Sequence, residues 1–299
     1  MDNLKQETPV FQLGGAGYLH LEQAFSEEAP ELDFVFDGLL AGTVGGIVAA
    51  GSTGKSYFAL GLLSDLATGR DNLGLGIKEC DKGTVYLTLE DPREILHQRM
   101  HAIGSLLAPD DRIKMQRRAH IESQVGSLIH LVDSNGFYNQ RIIDAMCLAF
   151  EGKRLVILDT LRRFHSGNEN DSGHMSTLIS CFEQIAHRTG AAILFLHHVN
   201  KTSNFLGAGL EQGASRGSAA LTDNIRCQIN LSTMSKDDAK QFNIDELERT
   251  KYVQLYNSKA NYQKDNGIRW FKRGVGGVLT KHNFSVRETF SLRGKNDKR

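Results

Sequence analysis

The chain has 299 residues, 35 basic and 35 acidic, so its formal charge is zero, and 40% of its side chains are apolar. This composition excludes a disordered chain, and at this length folding buries about three quarters of the extended surface, so neither disulfide nor structural metal is required. Neutrality also excludes a bulk positive field that would gather nucleic acid; any such contact has to come from particular loops.

The first ten residues, MDNLKQETPV, are polar where a secretory signal needs a basic stretch and an apolar run. Cys80, Cys147, Cys181 and Cys227 lie far apart with no C-x-x-C pair, which fits a reducing compartment, and the expectation is a cytoplasmic protein. Residues 1–32 have no clear period and carry Gly14, Gly15 and Gly17, so they read as an N-terminal extension. The stretch Gly38 to Thr53 is nearly uncharged but short and broken by glycines, so no membrane span is expected.

From Thr43 onward, short runs rich in Val, Ile and Leu alternate with helical segments. Strands are predicted at 44–49, 84–89, 154–158, 191–196 and 225–231. Helices are predicted at 55–68, ended by Gly69, at 92–107, opened by Pro92 in the first turn, at 139–151, and at 173–189, ended by Gly190. This alternation implies an α/β fold with a mostly parallel central sheet flanked by helices. Residues 250–280 carry KYVQLYNS, IRWFKR and GGVLT between Asn-Gly and Gly-Gly turns, which reads as a C-terminal antiparallel extension.

Residues 49–56 read AAGSTGKS between a predicted strand and a predicted helix, the context of a phosphate-binding P-loop. Gly51, Ser52, Thr53 and Gly54 would turn backbone N–H groups toward a polyphosphate, Lys55 would reach the terminal phosphates, and the Ser56 hydroxyl would ligate Mg2+. Ala49 stands where the pattern has its first glycine, and a small residue still permits the turn. Asp159 ends LVILD and is the second expected magnesium partner. Thr160 follows it, so the adjacent acid of transporter-type ATPases is missing. Glu90 ends TVYLTLE, where RecA-type motors keep their general base, and Asp91 beside it is the alternative. His197 and His198 end ILFLHH; strand alternation sends one of them toward the site, and His198 is taken as the sensor of the terminal phosphate.

The long loop NKTSNFLGAGLEQGASRGSAALTDNIR supplies Lys201 and Arg216, and LRRFHSGNENDSGH supplies Arg162 and Arg163, as candidate phosphate contacts to single-stranded DNA. NKTS lacks the carboxylate of the guanine-reading motif, which favours ATP. Arg226, entering the fifth strand, and Arg273, closing RWFKR, are read as poorly placed for their own phosphate loop and therefore as fingers into a neighbouring subunit. His97 and His101 have the i, i+4 spacing of metal ligands without a third ligand.

Together AAGSTGKS, YLTLEDP, LVILDTLRRFH, FLHH, ASRGS with DNIR, and SKANY with RWFKR resemble the RepA-type hexameric replicative helicases of IncQ-type plasmids, within the RecA-like P-loop ATPases. The resemblance spans about Leu32 to Leu279. It implies a ring of six that hydrolyses ATP with Mg2+ at subunit interfaces and travels along single-stranded DNA. It assigns Glu90 as base, His198 as sensor, Arg226 as arginine finger and Arg273 as a second interface arginine, and it places Arg99 and Tyr262 beside the adenine. Asn261 stands two residues beyond Lys259 where DnaB-type relatives have an arginine, so the finger has to come from elsewhere. The expected partition is an extension at 1–32, an ATPase/helicase domain at 33–290 and a basic tail at 291–299. A replication initiator or loader is an expected partner. The competing readings are a RecA-like ATPase that mediates recombination or regulates replication without unwinding, and a scaffold with a degenerate site, which Lys55, Glu90 and Asp159 argue against.

Overall fold

The computed structural model describes residues 13–15, 17–199, 219–262 and 267–284. The chain divides into two compact units, Met1–Asp33 and Phe34–Arg299. In the first, the helix α1 (Leu21–Ser26) buries none of its side chains.

The second unit holds a small hairpin, β1 (Phe34–Phe36) with β2 (Leu39–Leu40), and a sheet of nine strands among the described residues. In chain order these are β3 (Val44–Ala50), β4 (Gly83–Thr88), β5 (Ala119–Ser123), β6 (Lys153–Asp159), β7 (Ala192–Val199), β8 (Cys227–Thr233), β9 (Tyr252–Ala260), β10 (Arg269–Arg273) and β11 (Leu279–His282). Their spatial order is β11-β10-β9-β8-β3-β7-β6-β4-β5. Strands β8 to β5 in that order pair parallel, and β9, β10 and β11 pair antiparallel. The expected α/β architecture with its antiparallel extension is therefore the observed one.

The continuous apolar runs follow from burial on both faces. Along β6, Leu155 and Ile157 face one core with Phe58, Leu62 and Leu66 of α2 (Lys55–Thr68), Leu96 and Ile103 of α3 (Arg93–Ser105), and Met115 of α4 (Pro109–Arg118). Val156 and Leu158 face the opposite core, with Ile143 of α5 (Gln140–Ala149) and Leu178 and Phe182 of α6 (Ser172–Thr189). Gly46 lets β3 pass under Phe195, because a Cβ there would sit 2.9 Å from the ring.

Helices α2 and α6 end on left-handed Gly69 (φ 73°) and Gly190 (φ 70°), as their sequences predict. Pro92 is the residue before α3 and not in its first turn. Two elements were not expected. Strand β5 is a half-exposed sheet edge, AHIES, without an apolar run, and α4, PDDRIKMQRR, buries only Asp111 and Met115. Short helices α7 (Ala219–Asn224) and α8 (Lys236–Gln241) flank β8.

Candidate active site

Parallel pairing brings the carboxyl ends of β3, β4, β6 and β7 to one edge, where crevices form in open α/β sheets. The loop after β3 leads directly into α2, whose N-terminus offers unpaired N–H groups and the positive end of the helix dipole. Its left-handed residues are Ser52 (φ 65°) and Gly54 (φ 105°), whereas Gly51, expected to help the turn, has no positive φ.

The Lys55 ammonium is 4% exposed and donates to the carbonyls of Ala49 (2.8 Å) and Ala50 (3.1 Å). Burial pulls it down to about 8, against the attraction of Asp159 and Glu90. It also lies 3.0 Å from His198 Nδ1. Since an ammonium only donates, Nδ1 accepts and the ring hydrogen sits on Nε2, which faces Glu90 at 3.7 Å. Glu90 in turn lies 3.6 Å from Arg163 Nε. The His198 imidazole, then Arg163, hold Glu90 below the usual carboxylate range, with burial working against them.

The turn carrying Glu90 is held by Thr88 Oγ1, which accepts from the N–H groups of Glu90 (3.1 Å) and Asp91 (3.2 Å). Asp91 is ion-paired with Arg99, and that guanidinium stands 5.6 Å from the centre of the Tyr57 ring. Of the two acids, Asp91 is therefore engaged on α3, and Glu90 faces Lys55's partner His198. Across the crevice, Ser56 Oγ donates to Asp159 Oδ2 at 3.0 Å, and the Tyr86 hydroxyl donates to the same oxygen. Burial raises Asp159, opposed by these two hydrogen bonds. A hydroxyl and a carboxylate are the hard oxygen donors that suit Mg2+.

Arg273 requires a correction. Antiparallel to β9, strand β10 runs in the direction of the parallel set, so its last residue arrives at the phosphate-loop edge. There Arg273 donates to the carbonyls of Ser52 (3.0 Å) and Thr53. It is thus placed on its own chain's loop, contrary to the sequence expectation. Arg226 precedes β8 at the opposite edge and is exposed; its N–H donates to Val44 O, and its carbonyl accepts from Asn261. Tyr262 follows β9 at that same edge and is 41% exposed. A single copy therefore does not bring Tyr262 to Arg99, the pair expected to flank the adenine.

Arg162 lies 3.5 Å from Glu169 in the turn after β6. Lys201 and Arg216 lie outside the described residues. Sequence reasoning missed Thr88 and Tyr86. Thr88 was detectable from the T-L-E-D spacing of a hydroxyl turn, and both fall at alternate positions on the strand face that carries Glu90's neighbours.

His197 points to the other face. It is 3% exposed, its Nε2 has no hydrogen-bond partner among the described residues, and burial lowers its pKa to about 4, against the pull of Glu169. The unfolded chain takes up this proton near pH 6.5 and the folded chain refuses it until about 4. This contribution to stability is thus complete above pH 6.5 and is lost as pH falls toward 4. We expect it to cost about 2 kcal/mol between pH 7 and pH 5. Urea unfolding of the parent and of His197→Gln at both pH values checks this: the variant should show a shallower acid loss, and equal losses would contradict it.

The AAA domain family AAA_25 matches residues 18–204. Among solved structures, the chain is similar to an isolated ATPase domain, at 15% identity and a TM-score of 0.53, covering 81% of this chain and 85% of that one. It is similar at the same identity and TM-score to a DnaB-like replicative helicase described with its primase interactions, covering 81% of this chain but only 58% of that one. The RadB recombinase matches at 12% identity and a TM-score of 0.50, covering 82% and 93%. At these identities the likeness is one of fold, a RecA-like one.

Proposed function

This chain belongs to the AAA_25 family of AAA domains, and from that membership we propose that it is an ATP-dependent replicative DNA helicase. In this reading it assembles as a ring, hydrolyses ATP where two copies meet and moves on single-stranded DNA. The observation that carries the catalytic part is the convergence of Lys55, Ser56, Glu90, Asp159 and His198 on one sheet edge. The likeness in motifs to RepA-type plasmid helicases supports the finer reading.

Lys55 would exchange the Ala49 and Ala50 carbonyls for phosphate oxygens, a favourable trade for a buried ammonium. Mg2+, when bound, supplies charge neutralisation on the phosphates, and Ser56 and Asp159 are the residues that would hold it. Glu90, kept ionised by His198 and Arg163, would accept the proton of the attacking water. His198 touches both Lys55 and the Glu90 side of the crevice, which suits a sensor of the terminal phosphate. Arg163 links that crevice to the loop expected to contact DNA. Placing the phosphate loop and Arg226 on opposite edges suits a head-to-tail interface, the kind that closes into rings.

No helix among the described residues is long and apolar enough to cross a membrane. The four cysteines are free, in keeping with a cytoplasmic setting. The deciding experiment combines ATP hydrolysis with and without single-stranded DNA and displacement of a labelled strand. Stimulated hydrolysis with displacement is the expected result. Stimulation and binding without displacement would replace the motor by the recombination-mediator reading, which the fold similarity to RadB keeps in view.

A further inference from the structure

We propose that Tyr86 is a positioning residue for the metal-facing carboxylate, holding Asp159 in the orientation the site needs when Ser56 lets go of it. The inference rests on the reading of this crevice as a magnesium-nucleotide site. Tyr86 is fully buried in β4, between Val85 and Leu87, whose side chains enter the opposite core. Register places Tyr86 beside Ile157 and Thr88 beside Asp159, so the phenol spans two residues along the sheet to reach the carboxylate.

Burying a phenol in an apolar layer is costly unless its hydroxyl is paired, and here the partner is Asp159 Oδ2. The same oxygen accepts from Ser56 Oγ at 3.0 Å. Both hydrogen bonds fall on Oδ2, and Oδ1 receives none among the described residues. If the Ser56 hydroxyl turns to a cation, Tyr86 is the donor that remains on Oδ2. The carboxylate then keeps its rotamer without a second reorganisation. Partners of this outer kind typically change metal affinity by about 10- to 100-fold when removed.

The test is Tyr86→Phe, which keeps the ring and deletes only the hydroxyl. The affinity of a fluorescent ATP analogue is measured with excess Mg2+ and with EDTA, Mn2+ binding in the presence of nucleotide is followed by electron paramagnetic resonance, and thermal unfolding is recorded. We expect metal-free nucleotide affinity within about twofold of the parent, and a rise of about tenfold or more in the Mg2+ concentration giving half-maximal binding. The Mn2+ signal should show matching weakening, and kcat should fall more than KM changes. Combined with Asp159→Asn, the Tyr86→Phe change should produce no additional metal effect, which excludes a loss of packing alone. A Mg2+-dependent parent whose dependence is unchanged in Tyr86→Phe overturns the inference and leaves the site reading intact. A parent whose nucleotide affinity ignores Mg2+ overturns the site reading, and the inference with it.

Discussion

Replacing Glu90 by Gln is expected to leave ATP binding and assembly nearly intact while lowering turnover by about two to four orders of magnitude, the usual worth of a positioned general base. Glutamine keeps the size and hydrogen-bonding reach of the side chain but cannot take a proton from water. The loss should appear in kcat and not in nucleotide affinity, because the phosphate contacts come from Lys55 and the loop before it. Filter binding of ATP and steady-state hydrolysis on the same preparation check it. Undiminished hydrolysis would transfer the role to Asp91, and Asp91→Asn would then abolish turnover. The ion pair of Asp91 with Arg99 and the orientation of Glu90 toward His198 favour the first outcome.

Arg226→Ala is expected to lower turnover by about a thousandfold with little change in nucleotide affinity, since an arginine finger acts on transition-state charge. The geometry makes a sharper demand. Arg226 sits at the edge opposite its own Lys55 and Glu90, so any action on phosphate has to occur in another copy. Two inactive variants, Glu90→Gln and Arg226→Ala, should therefore regain hydrolysis when mixed. Interfaces then form in which the Arg226→Ala copy supplies Glu90 and the Glu90→Gln copy supplies Arg226. Turnover per chain of the parent should also fall on dilution below the assembly concentration. Mixtures that stay inactive, or turnover indifferent to dilution, would remove Arg226 from this role.

Arg273 shows why one arginine was legible and the other was not. In sequence, both close or open strands late in the chain and look equally remote from the phosphate loop. Their positions depend on which way each strand runs and what it pairs with, and those are decided by contacts across the sheet. Two reversals, β8 to β9 and β9 to β10, return Arg273 to the loop and leave Arg226 and Tyr262 at the far edge. The same holds for β5 and α4, whose exposed faces carry little apolar signal and which exist as elements because β4 and α2 offer them a surface. Tyr86 likewise reads as one more apolar strand residue until the register of β4 against β6 sets its hydroxyl beside Asp159.

What the amino-acid order determined by itself was local: the loop AAGSTGKS at a strand-helix junction, the glycine ends of α2 and α6, the apolar runs of the inner strands and the polar residues that end them. These depend on backbone freedom, helix capping and burial on both faces, which are expressed within a few neighbours along the chain. Tertiary structure alone decided the company those residues keep, namely Lys55 with His198, Glu90 with Arg163, Asp159 with Tyr86, and Arg273 with its own loop. Strand order and direction are long-range choices, made by the packing of the whole sheet, and no local spacing carries them.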